Sequence, residues 1–272
     1  DLLDAEGDFF YIFHRNLFCS FTYIFLIMTN WKLEISYIGK DFYGFQKQPG
    51  KRTIQGELEK VLSFLFDEEI RVIGAGRTDT GVHALGQVVN FKSRGHKGFS
   101  CDKLHKVLNR LLPEDIKIKK VEIVDDSFHA RYSAKRRWYI YVVYNNDERD
   151  LFLKDYSWWI SREINRELLI FSANLFKGVH DFKNFCVTED EDQTVIEVYE
   201  SFWYFKKDLL IYFISAPFFL RKMVRFIVGS MVEIALGRKS LIELEDYLKE
   251  ERKERFSVPA PPWGLYLFRV DY

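Results

Sequence analysis

The sequence predicts an α+β fold made of two split βαβ (ferredoxin-like) halves, which share a mostly antiparallel sheet with helices on one face. Three observations lead to this prediction. Strand-type and helix-type patterns follow one another as strand–helix–strand–strand–helix–strand, and that order occurs twice. Hydrophobic residues make up 47% of the chain and aromatic residues 17%, which suffices for a large core. We therefore expect two halves, residues 28–127 and 128–272, with a cleft between them.

The first half follows the pattern from residue 31 onward. Residues 31–38 alternate as a strand. Residues 53–66 place apolar side chains at helical spacing, and Thr53 is a suitable N-cap. The other expected elements are short strand 70–73, strand 86–92, helix 101–112 ended by Pro113, and strand 116–124.

The second half repeats the order with longer connections. Residues 137–144 form the expected first strand, followed by a charged turn at 145–150. A hairpin is predicted from 195–205 and 209–216 across a Lys-Lys-Asp turn. The remaining elements are strand 157–160, helix 162–177, helix 219–236 ended by Gly237, helix 240–249 and strand 265–270.

Residues 1–27 differ in composition from the rest. They are dense in Phe, Tyr, Ile and Leu, but without helical periodicity, and a strong strand pattern follows Met28 directly. We interpret them as an upstream leader that is not native to the protein and is poorly ordered. The alternative is a membrane anchor, but the apolar run 17–28 is 12 residues long, whereas a spanning helix needs about 20.

Charge and cysteine usage narrow the class of protein. Lys and Arg total 40, and Asp and Glu also total 40. A nucleic-acid-binding protein with a uniformly basic surface is therefore excluded, whereas one with a local basic face is not. The three cysteines are far apart and the six histidines are scattered. Neither a disulfide framework nor a metal site is expected, and the cysteine usage fits a reducing cytosol.

The densest chemical signal is the segment 74–84. Three glycines surround one carboxylate, Asp79, with a strand expected on each side. Glycine permits sharp turns and close approach to a ligand, and loops held on a scaffold often carry reactive groups. Asp79 is therefore a candidate catalytic carboxylate, with Arg77 placed to touch a phosphate or a displaced base. The alternative is a tight turn in which the aspartate caps its own backbone.

Six ordered blocks extend this signal, and together they resemble the tRNA pseudouridine synthase A (TruA) family. The central block is Gly76-Arg77-Thr78-Asp79 followed by Gly81-Val82-His83-Ala84. The resemblance runs from Trp31 to Tyr272 and leaves out residues 1–27. The other blocks lie at 37–48 with 53–59, 128–141, 178–182, 219–229 and 260–265.

The resemblance implies an isomerase that detaches uracil from its ribose, rotates it and rejoins it through carbon, without metal or cofactor. The target would be uridine at positions 38, 39 and 40 of the tRNA anticodon stem-loop. Asp79 would be the nucleophile, kept ionised by Arg225 through a bidentate contact, and Tyr139 would stack on the base and assist proton removal. Arg77 would hold the flipped nucleotide. The cleft between the halves would be catalytic, the protein a cytoplasmic homodimer, and each tRNA would touch both subunits.

RNA contacts are expected from one segment and three basic clusters. The segment contains Phe128, His129, Ala130, Arg131 and Tyr132. The clusters are Arg131, Lys135, Arg136 and Arg137; Arg221, Lys222 and Arg225; and Lys47, Lys51 and Arg52.

A catalytically silent tRNA-binding protein or chaperone that uses the same cleft remains the alternative function.

Overall fold

A computed structural model describes residues 28–187, 193–250 and 254–272. Within these ranges the chain forms a nine-stranded sheet, a separate two-stranded sheet and five α-helices. None of the helices in these ranges is long and apolar enough to cross a membrane. The predicted leader, and the membrane anchor that was its alternative, lie outside the described residues.

The elements of the first half follow the predicted order, although the short strand expected at 70–73 is Ile73–Gly74 in the structure. Thr53 is the N-cap of helix α1, and its side chain accepts a hydrogen bond from the amide of Gly56. The bounds are β1 Met28–Tyr37, α1 Ile54–Phe66, β2 Ile73–Gly74, β3 His83–Arg94, α2 Cys101–Leu111 and β4 Ile116–Val124.

The described residues of the second half form seven strands and three helices. Its two-stranded sheet, β7 with β8, is separate from the main sheet. The bounds are β5 Arg136–Asn145, β6 Trp158–Ile160, α3 Arg166–Leu175, β7 Gly178–Asp181, β8 Val195–Val198, β9 Glu200–Lys206, β10 Leu209–Ala216, α4 Met223–Ala235, α5 Leu241–Lys249 and β11 Leu265–Asp271.

Strand order confirms the repeated split βαβ arrangement. The main path of the sheet is β4-β1-β3-β11-β5-β10-β9, with β2 paired to β3. In each half the principal strands therefore lie in the order fourth, first, third, second, as the motif requires. The halves join where β11 runs parallel to β3, through the pairs Tyr266–His83 and Leu267–Ala84. The exact division at residues 127 and 128 stays a prediction.

The helices cover one face of the sheet. Strand register connects Trp31 on β1, through Tyr139 on β5, to Trp203 on β9, so that these side chains share a face. At one end the Trp31 ring meets Phe66 of α1 at 6.0 Å, and at the other the Trp203 indole nitrogen lies 3.4 Å from the sulfur of Met231 in α4. The buried apolar residues of both halves form one continuous core under these helices.

Three predicted elements of the second half differ from the structure. The helix expected over 162–177 is shorter, Arg166–Leu175. The expected strand 195–205 is divided at Tyr199, because Val195–Val198 pairs with β7 whereas Glu200–Lys206 pairs with β10. The expected helix 219–236 begins only at Met223. Lys222 precedes it with a φ of 61°, a left-handed conformation that interrupts any earlier helical turn.

Candidate active site

Asp79 lies on the loop between β2 and β3, and neighbouring segments hold this loop from several sides. The carbonyl of Thr78 accepts a hydrogen bond from the amide of Phe45 at 3.0 Å. The hydroxyl of Thr78 is 2.8 Å from that of Tyr37, and both side chains are buried. The side-chain amide of Gln87 donates through Nε2 to the backbone carbonyl of Gly76 at 2.7 Å. The loop backbone is therefore fixed on both sides of the carboxylate.

Glycine is required beneath this loop. Gly44 has a φ of +85°, and a Cβ on it would lie 2.7 Å from the carbonyl oxygen of Thr78. Any other residue would therefore be strained in its own backbone and would push against the Asp79 loop. Gly81, within the loop, also has a positive φ, of +80°.

The carboxylate of Asp79 is paired with the guanidinium of Arg225 across the two halves. Arg225 Nη1 donates to Asp79 Oδ2 at 3.0 Å, and the two side chains are 11% and 28% exposed. The expected bidentate contact is not formed, because Arg225 Nε instead donates to the carbonyl of Ala260 at 2.7 Å. Asp79 Oδ1 makes no hydrogen bond to the described residues.

Tyr139 forms a buried aromatic wall beside this pair. Its ring meets Phe219 edge to face at 5.1 Å. Its hydroxyl lies near the catalytic loop, since a Cβ on Gly76 would be 3.6 Å away. Burial raises the pKa of Tyr139, the charge of Asp79 raises it further, and Arg137 partly opposes this. Tyr139 is therefore a neutral phenol at physiological pH.

Tyr141 shares the face of Tyr139 but has another role. Its hydroxyl donates to the carbonyl of Pro261 at 2.8 Å, and burial raises its pKa well above the ordinary value. Pro261 follows Ala260, whose carbonyl accepts a hydrogen bond from the guanidinium of Arg225. Tyr141 thus supports the backbone that orients Arg225, and of the two tyrosines Tyr139 is the one beside the carboxylate.

The predicted RNA-contacting residues divide into exposed and buried groups. Arg77, Arg131 and Tyr132 are exposed. The ring of His129 stacks on Tyr132 at 4.3 Å, and its Nδ1 accepts from the amides of residues 131 and 132. Phe128 packs on the ring of Tyr272 at 4.9 Å.

Ala130, which the resemblance also assigned to RNA contact, lies below the surface of this segment. This residue is fully buried, and its amide donates to Asn90 while its carbonyl accepts from the Tyr272 hydroxyl. Asn90 is in turn bonded to Asn30, whose side chain holds the carbonyls of Asp125 and Phe128. The segment is therefore anchored from below by two buried asparagines and presents its next two side chains outward.

The predicted basic clusters are less uniform than the sequence suggested. Lys47 pairs with Glu59 at 2.9 Å, and Arg52 makes a bidentate contact with Asp115, so the third cluster is partly neutralised. Arg137 of the first cluster is buried and donates to backbone carbonyls rather than facing solvent. The described residues include no group of three metal-ligating side chains.

His83, the last ionisable residue of the central motif, is structural. Its Nδ1 accepts from the amide of Gly39 at 3.0 Å, and its Nε2 lies 3.1 Å from the carbonyls of Asp155 and Trp263. The ring stacks on Tyr266 at 4.8 Å. Burial lowers the pKa of His83, so the neutral imidazole joins four segments at the seam between the halves.

The sequence comparison agrees with this geometry. The family model described as tRNA pseudouridine synthase matches residues 35–133 and 172–272. These ranges include Asp79 and Arg225 but not Tyr139. A double split βαβ sheet with this site defines an isomerase of the pseudouridine synthase class.

Curated relatives narrow the class. The chain is 75% identical over 245 residues to tRNA pseudouridine synthase A of Dictyoglomus thermophilum, covering 90% of this chain and 100% of the relative. It is 42% identical to the Aquifex aeolicus protein of the same name, with 89% and 99% coverage. It is also 42% identical to that of Brachyspira hyodysenteriae, with 90% and 99% coverage. The chain belongs to the tRNA pseudouridine synthase A family.

Sequence reasoning did not assign several residues that shape this site. Tyr37 and Gln87 secure the loop, Phe219 supports Tyr139, and Ala260 orients Arg225. Tyr37 and Phe219 belong to blocks that resemble the family, but their partners are distant in sequence. The carbonyl of Ala260 leaves no side-chain signal at all.

Proposed function

We propose that this protein converts uridine to pseudouridine at positions 38, 39 and 40 of the anticodon stem-loop of tRNA, with Asp79 as the nucleophile. Family membership and the names of the relatives support the isomerisation of tRNA uridine. The observation that supports the role of Asp79 is the hydrogen bonding of its two carboxylate oxygens. One carboxylate oxygen is held by Arg225, while the other is unbonded among the described residues, and the side chain is 28% exposed.

In the proposed reaction, Asp79 attacks C1′ of the ribose while the bond from C1′ to N1 of uracil breaks. The detached uracil rotates until C5 faces C1′. The C1′–C5 bond then forms as the bond to Asp79 breaks, C5 loses its proton, and N1 gains one. Atoms and electrons are conserved, so no oxidant is consumed. Arg225 donates to the carboxylate that makes this attack and holds it in place.

Tyr139 holds the base during rotation. An aromatic face stabilises a stacked base by about 1–3 kcal/mol, which opposes loss of the detached uracil. Because burial and Asp79 both disfavour the phenolate, Tyr139 is a neutral phenol in the resting enzyme. This supports stacking more strongly than proton removal by a preformed phenolate.

The target nucleotide must leave its stack to reach Asp79. Arg77 is exposed two residues before Asp79 and pairs with no carboxylate among the described residues, so it is available to hold the flipped nucleotide. Arg131 and Tyr132 offer a second exposed cation and ring. These side chains suit binding to phosphates and unstacked bases.

Release of tritium from tRNA labelled at C5 of uridine tests the reaction directly. We expect the wild-type protein to release tritium without added metal or nucleotide, and Asp79→Ala to release none while it still binds tRNA. Asp147→Ala, which removes an exposed carboxylate from a distant turn, is the matched control and should keep full activity. A wild-type protein that binds tRNA without releasing tritium would support the silent RNA-binding alternative.

The homodimer is a further part of the proposal, supported by an exposed aromatic area on the sheet face opposite the helices. Phe202 and Phe213 stack at 5.0 Å, and Phe268 meets Phe213 edge to face at 6.2 Å. Phe202 is 43% exposed and Tyr204 beside it 52%. A second copy of this chain can cover such an area by an isologous contact, in which the same rings meet across a two-fold axis.

Sedimentation tests this surface. Phe202→Glu should convert the dimer to a monomer, because it would bury a carboxylate against aromatic rings. Phe64→Glu, at an exposed ring on α1, is the control and should leave the dimer intact. A dimer that persists in Phe202→Glu at the wild-type dissociation constant would assign the interface elsewhere.

A cytoplasmic location completes the proposal. tRNA modification takes place where tRNA is made and used. Cys101 forms no disulfide with the described residues, which fits a reducing compartment.

A further inference from the structure

Arg137 is a buried cation with an unusual set of partners. Only 7% of the residue is exposed. Its Nε donates to the carbonyl of Ala75 at 2.9 Å, its Nη2 to that of Arg131 at 2.6 Å, and its Nη1 to that of Pro217. All three acceptors are backbone oxygens, and they belong to segments far apart in sequence.

No carboxylate neutralises this guanidinium within the described residues. The charged and polar groups that influence it are Tyr139, Tyr272 and Arg131, and desolvation lowers its pKa. A buried charge is costly unless its hydrogen bonds are satisfied. Three carbonyl dipoles offset part of that cost, and the chain keeps the cation at a point where an apolar residue would fill the space more easily.

The three bonded segments are the ones that build the site. Ala75 lies four residues before Asp79, on the catalytic loop. Pro217 begins the turn that carries Phe219, which packs on Tyr139, and leads to Arg225. Arg131 belongs to the exposed RNA-facing segment. Arg137 itself lies two residues from Tyr139 on β5.

We propose that Arg137 is a positioning residue, which clamps the Asp79 loop, the turn leading to Arg225 and the RNA-facing segment at fixed distances around Tyr139. Its planar fork is suited to three acceptors in different directions, whereas a lysine ammonium on a flexible stem cannot hold the same plane. This inference uses the assay of the proposed function but concerns the geometry of the site rather than the identity of the reaction.

Kinetics separate positioning from RNA binding. We expect Arg137→Ala to lower the single-turnover rate of tritium release by about 100-fold, the typical effect of displacing reacting groups by about 1 Å. The dissociation constant for tRNA and its salt dependence should stay within about threefold of wild type. Arg269→Ala, which removes an exposed arginine of the neighbouring strand that pairs with Asp271, is the control and should keep the wild-type rate.

Chemical rescue adds a readout that general destabilisation would not change. Ethylguanidinium should restore at least tenfold of the rate to Arg137→Ala, whereas tetramethylammonium at the same ionic strength should restore none. Arg137→Lys keeps the charge and the stem, so it decides the matter if Arg137→Ala does not fold. A wild-type rate in Arg137→Lys, or weaker tRNA binding at an unchanged rate in either variant, would overturn the proposal.

Hydrogen exchange tests the clamp without any activity. In the variants, amides in residues 75–80, 131–134 and 217–222 should exchange faster together, while helix α2 should be unchanged. Unchanged exchange in these three segments would also overturn the clamp. If the wild-type protein released no tritium, the proposed function would fail, but the exchange result would still decide the role of Arg137.

Discussion

Replacing Gly44 by alanine is a sharp test of the fixed catalytic loop. The added Cβ would lie 2.7 Å from the carbonyl oxygen of Thr78 and 3.3 Å from the carbonyl carbon of Asp79. Non-bonded carbon and oxygen atoms do not approach to 2.7 Å, so the loop must move away. The amide of Phe45, which donates to the same carbonyl at 3.0 Å, limits where it can go.

The expected loss of stability has two parts. An alanine held at a positive φ costs about 1–2 kcal/mol, and overpacking a tight contact costs about 1–3 kcal/mol. The free energy of unfolding should therefore fall by about 2–5 kcal/mol, against a typical total of about 5–15 kcal/mol. A shift of Asp79 by about 1 Å should lower kcat by about 100-fold.

Gly50→Ala is the matched control. Gly50 also has a positive φ, of +67°, but no atom lies within 4 Å of its added Cβ. It should lose only the backbone part, about 1–2 kcal/mol, and keep kcat. Urea unfolding and tritium release measure both quantities. A wild-type kcat in Gly44→Ala, or an equal loss of kcat in Gly50→Ala, would refute the link between this contact and catalysis.

Two further predictions concern pH and salt. Burial lowers the pKa of His83 in the folded state, so below the unfolded-state pKa of about 6.5 the unfolded chain binds more protons than the folded one. The free energy of unfolding should therefore fall as pH drops through that value. His83→Gln should flatten this dependence of the unfolding free energy on pH, measured by urea unfolding from pH 8 to pH 5. A slope that persists in His83→Gln would assign the effect to another group. If Arg131 contacts a phosphate, Arg131→Ala should reduce the slope of log Kd against log salt by about 1, measured by filter binding, whereas Lys249→Ala on α5 should not; equal slopes for Arg131→Ala and wild type would exclude the contact.

Local signals predicted most of the fold. Helix α1 has its N-cap at Thr53 as expected, because capping depends on residues within one turn. The strand expected at 195–205 was wrong as a single element, since its division at Tyr199 depends on pairing with β7, and the amide of Tyr199 itself donates to Ser215. Such pairing is set by distant segments, which periodicity does not report.

The site divides in the same way. Asp79 and Arg225 could be paired from sequence because the motif resemblance supplied both, and the structure brings them to 3.0 Å. Arg137 could not be distinguished from its basic neighbours Lys135 and Arg136. Its burial depends on carbonyls at positions 75 and 217, and a carbonyl has no residue type that would reveal it.

The parallel ladder between β3 and β11 joins the halves through only two residue pairs, with the ring of His83 bridging to Trp263 across it. The carboxylate belongs to one side of this junction and its guanidinium partner to the other. Under the proposed roles of Asp79 and Arg225, a partly folded chain in which either half is complete but the junction is open possesses no competent centre. Enzymatic output consequently reports on assembly of the whole molecule, and an isolated half should be inert however well it folds.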